Sequence, residues 1–262
     1  MEEKRSYIKG NPEKQGFAQM DRIPVEVEIG ISPIKEIEES AFQKPALEKD
    51  PKVFFVIISG GQKREKDYFK IISIKDRFRR IKIEFIADPA KLTPDGLYEL
   101  AKFKKERYAS SQNMDAEPDR IYLISDVDHF MVEVIRIKPK CTEERFILII
   151  SNSCFEVWLY YAYHKEIPRF TVPTNRLKIS SEFKCWLNTE VPGGANPIKA
   201  IFEIESNIEN AKNNYSEDEN GVPKLFSTNM FLLAEDLLPL IEPELDKMKH
   251  ENIIKKDLFK NK

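Results

Sequence analysis

The segment Val53–Ser59, VFFVIIS, is a continuous run of β-branched and aromatic residues with no charge in it. A strand this apolar must be covered on both faces, which a parallel sheet clad in helices provides. The run stops at Gly60-Gly61, and a polar stretch from Lys63 to about Arg77 follows, in which Tyr68, Phe69 and Ile72 recur at helical spacing. The same rhythm continues. Residues 81–87 read as a second strand. Thr93-Pro94-Asp95 then supplies an N-cap, a first-turn proline and an acid for a helix reaching about Arg107, with Leu97, Leu100, Ala101 and Phe103 available for packing. Residues 121–125 form a third buried strand that runs directly into Asp126 and Asp128. Residues 146–150 form a fourth, followed by Asn152-Ser153 and a helix over about 154–164. Strands and helices in this alternation predict an α/β fold, a parallel sheet flanked by helices.

Both flanks have a different texture. Residues 1–50 mix charges, with prolines at 12, 24, 33 and 45, and read as an N-terminal extension. Ile23, Val25, Val27, Ile29 and Ile31 alternate there at the period of a short strand. Beyond Pro168 the pattern gives a short helix around Trp186, a turn at Pro192-Gly193-Gly194 and a helix over 196–213. A polar loop over 215–221, an apolar helix over 231–241 and a basic, solvated end over 247–262 complete the chain. The expected organisation is an N-terminal extension 1–50, a core 51–167, and a mostly helical C-terminal extension 168–262 packed on that core.

Composition removes several classes. At 262 residues and 41% hydrophobic the chain can build a sizeable core and is too apolar for wholesale disorder. No apolar run approaches the roughly 18–20 residues that span a bilayer. The first sixteen residues, MEEKRSYIKGNPEKQG, lack signal-peptide organisation, so a cytoplasmic location with no membrane partner is expected. A net charge of −2 argues against coating nucleic acid by bulk electrostatics but leaves room for a local basic groove. Cys141, Cys154 and Cys185 have no zinc-site spacing and read as reduced thiols.

In open α/β sheets ligands bind beyond the carboxyl ends of the strands, which here carry Ser59-Gly60-Gly61, Asp126-Val127-Asp128, and Asn152 with Glu156. Two carboxylates one residue apart at a strand mouth can hold Mg²⁺, an ion that takes one or two protein carboxylates and leaves other positions to water and phosphate. The same pattern serves as a solvated turn cap, and spacing alone favours that plainer role. Glu156 is either a third acid of the site or a favourable charge at a helix start. Backbone amides at Gly60-Gly61, with Lys63 and Arg64 beyond, can receive a phosphate, although neither GxxxxGK[ST] nor GxGxxG is present. Trp158, Tyr160, Tyr161 and Tyr163 crowd one helix and read as core packing.

Four blocks carry a family resemblance: VFFVIISGGQKREKDYFK at 53–70, IYLISDVDHF at 121–130, SNSCFEVWLYYAYH at 151–164 and NGVPKLFSTNMFLLAEDLL at 220–238. The third is the most specific, being similar to an Asn-Pro-Cys-Phe-Glu-hydrophobic-Trp pattern with Ser153 where proline is usual. Together they resemble the RloB-like family, which is similar to Toprim domains. The resemblance implies a Toprim-like fold and a nuclease dependent on Mg²⁺ or Mn²⁺, from bacterial anti-phage or abortive-infection loci and paired with an AAA or ABC-type ATPase. Carried over by position, Asp126 and Asp128 are metal ligands, with Asn152 and Glu156 lining the same pocket. There is one departure. Toprim domains place a catalytic glutamate directly after the first strand in a Glu-Gly step, and here that step reads Gly60-Gly61. The following acid is replaced by Gln62, and Glu65, one helical turn on, is the acid available to substitute.

The leading reading is a metal-dependent nuclease or phosphodiesterase acting on DNA or RNA. Asp126, Asp128, Glu156 and Glu65 are its catalytic candidates, and Gly61, Lys63, Arg64 and Asn152 its substrate contacts. The alternatives are a catalytically degenerate Toprim-like module that binds or regulates the ATPase, marked by an exposed apolar patch around 226–238, and a small-nucleotide hydrolase using the same site.

Overall fold

The computed structural model describes residues 53–74, 77–90, 93–110, 117–191 and 194–260, so the strand expected within 23–31 lies outside the described residues. Four strands, β1 (Val53–Ser59), β2 (Ile81–Ile86), β3 (Arg120–Asp126) and β4 (Ile147–Ser151), pair in the order β2-β1-β3-β4. Every pairing is parallel, with Phe55 opposite both Ile83 and Arg120, and Tyr122 opposite Ile147. The α/β sheet expected from the alternation of apolar runs is therefore present. No helix among the described residues is long and apolar enough to cross a membrane.

Side chains alternate across β1 as the pleat requires, and each set has its own helices. Phe55 and Ile57 face Tyr68, Phe69 and Ile72 of α1 (Arg64–Ile74). The same face is covered by α4 (Glu156–Tyr161), α5 (Ile179–Glu190), α7 (Ile204–Asn213) and α8 (Phe231–Lys260). Phe54, Val56 and Ile58 face Leu97 and Ala101 of α2 (Pro94–Ser110) and Val134 and Ile137 of α3 (Met131–Glu144). The strand order explains this split. From β1 the chain crosses to β2 on one side, whereas from β3 it crosses to β4 on the other. Right-handed crossovers in opposite directions need helices on opposite faces. The two windings diverge between β1 and β3, and a crevice opens there at the strands' carboxyl ends.

Several boundaries differ from the sequence reading. Helix α3 was not expected: its buried face is only Val134, Ile137 and Cys141, Val132 beside them is exposed, and Pro139 lies inside it. Phe103 on α2 is 54% exposed rather than packed. The helix expected over 154–164 narrows to α4, whose terminal carbonyls are taken by asparagine amides of α7, Asn207 donating to Trp158 and Asn210 to Tyr161. The single helix expected over 196–213 is broken into α6 (Pro197–Ala200), a 3-10 turn Ile201–Glu203 and α7. In contrast, the last apolar helix and the basic tail are one helix, α8, which runs through Pro239 and Pro243. Pro243 has no N–H for the carbonyl of Pro239, and Arg80 Nη1 donates to that carbonyl at 3.4 Å instead.

The free edge of β4 is closed by the segment leading into α8. Asn229 accepts from Ile150 N and donates to Leu148 O, Ser151 bridges to Thr228, and Asn152 N donates to Ser227 O. Helix α8 is also tied to β3, because the Tyr122 hydroxyl donates to Asp236 at 2.6 Å beside Arg120. Tyr122→Phe is expected to lower stability by about 1 kcal/mol without altering the fold, read as a shift in urea midpoint at constant m-value.

Candidate active site

The crevice between β1 and β3 gathers acids from three separate stretches of chain. Strand β1 ends at Ser59, whose hydroxyl accepts from Gly61 N at 3.1 Å, while Gly60 N donates to Ile124 O of β3 at 3.0 Å. These bonds hold the Gly-Gly step against β3 and turn the chain into α1, and they occupy the Gly60 and Gly61 amides that the sequence reading had expected to receive a phosphate. Glu65, in the first turn of α1, folds its side chain back over that step. A Cβ on Gly61 would lie 1.9 Å from Glu65 Cδ. Glycine at 61 therefore clears the space that the Glu65 carboxylate fills.

Asp126 is the last residue of β3. The residue is only half-buried, yet its Oδ1 is shut off from solvent and has no hydrogen-bond partner. Glu156, at the start of α4, is nearly fully buried between two cations, 3.9 Å from Arg64 Nε and 3.5 Å from Lys184 Nζ. Burial drives Asp126 well above the ordinary carboxylate range, and the charges of Glu65 and Glu156 push it the same way while Lys184 opposes them. Burial likewise raises Glu65 to about 7, with Glu156 adding to the shift and its own backbone N–H, Lys184 and Arg64 working against it. Burial would lower Lys184, but Glu156, Cys154 and Asp126 hold it above its usual value.

The other sequence candidates sit around this centre. Asp128 has a left-handed backbone (φ 22°), donates its N–H to Ser153 O and sets its carboxylate 3.6 Å from His129 Nε2. It is the weakest of the charges acting on Asp126 and lines a neighbouring cleft with Met131, Val172 and Ile179. Asn152 lines that same cleft, but its amide donates to Pro223 O at 2.8 Å, so much of its role is to anchor the segment that closes β4. The Asn152–Ser153 peptide is cis. Lys63 is exposed at the start of α1. Arg64 bridges outward, its Nη1 donating to Ala195 O at 2.7 Å while its Nε faces Glu156. Trp158 and Tyr161 are fully buried in the core, as their crowding on one helix indicated.

A scan against protein-family models matches the RloB-like protein family over residues 55–237, well over half of the chain. The chain belongs to the RloB-like family. No curated protein and no solved structure matches it. The matched span takes in all four strands after the first two residues of β1, the acids at their ends, and the segment that closes β4.

One site residue of this RloB-like chain escaped the sequence reading. Lys184 lies on α5, far in sequence from the acids it faces, in a stretch where Trp186 was the only landmark. A single lysine in a mixed helix has no local signature; only the packing of α4 against α5 reveals it. Whether the site suits a divalent cation can be asked of its donors. Among the described residues no group of three or more His, Cys, Asp or Glu is arranged to hold a metal ion by itself. Mg²⁺, however, needs only one or two carboxylates beside water and phosphate. An unpartnered, solvent-shielded Asp126 oxygen among acids that raise each other's proton affinity is the donor set that a cation relieves. The residues present fit such an ion, with the two carboxylates Asp126 and Asp128 to hold it and water and phosphate to complete its shell.

Proposed function

We propose that this RloB-like chain is a Mg²⁺- or Mn²⁺-dependent nuclease with a Toprim-like site, cleaving phosphodiester bonds of DNA or RNA in anti-phage defence. The observation that carries this reading is the position of Glu65. The Toprim glutamate is missing at Gly60, but the Glu65 carboxylate folds back over the adjacent Gly61 and acts electrostatically on Asp126. This supports a site that keeps its acid by drawing it from the next helix.

A divalent ion held by Asp126 and Asp128 would polarise the phosphodiester and offset charge on the attacking and leaving oxygens. The protein groups have their own parts. Glu65, raised to about 7, holds or releases a proton near neutral pH and is suited to general acid–base work. Lys184 and Arg64 fix the Glu156 carboxylate from two sides and bring positive charge to the crevice where a phosphate would lie. The degenerate-module reading loses its expected sign. Phe226, Met230, Phe231, Leu233 and Leu237 are buried, and Leu232, at 40% exposure, forms no extended apolar patch with them. An AAA or ABC-type ATPase remains part of the proposal as the partner that licenses cleavage.

The test is cleavage of mixed DNA and RNA with Mg²⁺ or Mn²⁺, with and without the neighbouring ATPase, comparing wild type with Asp126→Ala/Asp128→Ala. Metal-dependent cleavage lost in the double variant is expected; cleavage that survives it removes the proposal. A sharper probe is Gly61→Ala. Its Cβ would meet the far end of a flexible side chain, so the fold should hold while the Glu65 carboxylate is displaced. Activity is expected to fall at least about tenfold, with the melting temperature within a few degrees of wild type.

A further inference from the structure

A second cleft opens beside the carboxylates, with a volume of about 420 Å³, between the start of α1 and the turn that carries Gly194 to Ile198. We infer that it is a subsite for one unpaired nucleotide flanking the scissile phosphate, so that the substrate is single-stranded or frayed at the cut. The inference rests on the nuclease reading for what happens next door, but its own observations are separate.

The first is continuity. Arg64 belongs to both places, donating to Ala195 O in the cleft wall and facing Glu156 in the crevice. On α5, Asn188 lies one helical turn beyond Lys184, so the helix face that brings Lys184 to Glu156 also brings Asn188 to the cleft. A strand whose phosphate reaches the acids therefore has its neighbouring nucleotide over this cleft.

The second is size and shape. The volume sits in the small-ligand range, enough for one nucleotide and too little for a base pair. Gly194, at φ 77°, forms part of the wall, a backbone conformation that side chains rarely adopt. An ideal Cβ there would come 3.4 Å from Asn188 Oδ1, so a larger residue would narrow the cleft.

The third is chemistry. Lys63 is exposed at the rim, and no ion pair among the described residues engages it; it suits a phosphate. Inside the cleft the groups are amides and an acid. Asn196 uses Oδ1 to cap α6 through Ile198 N and Lys199 N, which leaves its NH₂ to donate. Asn188 is exposed, and Asp67 adds an acceptor that repels phosphate but receives a base amine or a ribose hydroxyl. Amides and a carboxylate can hydrogen-bond the Watson–Crick edge of a base only when that base is unpaired, which is one part of how single strands are recognised.

Two measurements on the full chain separate this subsite from the nuclease reading. Nucleoside monophosphates are titrated into metal-free protein and followed by NMR, and cut positions are mapped on single-stranded and duplex oligonucleotides with Mn²⁺. Wild type should show shifts at Asn188 and Asn196, should prefer single strands, and should favour one base beside the cut. Asn188→Ala, at an exposed position, should weaken the shifts at Asn196, raise KM for single strands about tenfold and relax the base preference, with kcat nearly unchanged. Cleavage with the same KM and preference in Asn188→Ala and Lys63→Ala overturns the subsite and leaves the nuclease standing. Nucleotide shifts at the cleft without any metal-dependent cleavage, the neighbouring ATPase being present, overturn the nuclease and leave the subsite. If neither is seen, both fall.

Discussion

Glu65→Gln is expected to lower kcat for metal-dependent cleavage by about 10²–10⁴-fold with little change in KM, the range lost when a positioned acid or base is removed. The substitution keeps the shape that lies over Gly61 and removes only the capacity to ionise. Glu65→Asp should rescue poorly. Its carboxylate starts from the first turn of α1 and has to reach back across the Gly-Gly step, and one methylene fewer leaves it short. The control is Glu99→Gln, an exposed acid on α2, which packs on the face of the sheet opposite α1, and it should change nothing. Single-turnover rates on one defined oligonucleotide give the comparison. Activity within about threefold of wild type in Glu65→Gln would mean that the proton is handled elsewhere, and Glu156 would be the next acid to vary.

That Glu65 reaches the site was not legible in the sequence, and the reason is geometric. Its spacing from Gly60 says only that it stands one turn into a helix. The reach depends on an empty place at Gly61, and Gly61 reads in sequence as an ordinary turn glycine. The strands were legible because burial on both faces forces long apolar runs, so that Val53–Ser59 is found to the residue. Asp126 and Glu156 were legible for a related reason: each follows directly on a strand or opens a helix, where topology alone brings it to the sheet's carboxyl end. Lys184, Asn188 and the α3 helix were not. The first two depend on how α5 packs against α4, a long-range event with no local signature, and α3 is masked by an exposed valine and an internal proline. Asp128 shows the opposite hazard. It belongs to the most conspicuous motif in the chain, yet its backbone turns it toward His129 and a neighbouring cleft.

The crowding of acids also fixes how stability should depend on pH and on metal. Glu65 has a higher pKa folded, about 7, than its ordinary value of 4.5, so below about pH 4.5 it is protonated in both states and costs nothing. As pH rises, the unfolded chain ionises first and is favoured, so metal-free protein loses stability between about pH 4.5 and 7 and levels off above. The shift corresponds to at most about 3 kcal/mol, and Asp126, raised for the same reasons, adds loss in the same direction. Lys184 does not blur the window, since its raised pKa places its titration above 10.5. A divalent cation binds the ionised acids of the folded state alone. Its stabilisation should therefore be nearly absent at pH 5 and, at a hundredfold excess over Kd, reach about 2–3 kcal/mol at pH 8. Asp126→Asn removes one of the repelling charges and a metal ligand together. At pH 8 the metal-free variant should be more stable than metal-free wild type, and Mg²⁺ or Mn²⁺ should leave its urea midpoint unmoved. A wild-type midpoint that stays flat from pH 5 to 8, with Asp126→Asn less stable at both ends, would show that these carboxylates are held by other partners and that no cation is needed to keep them together.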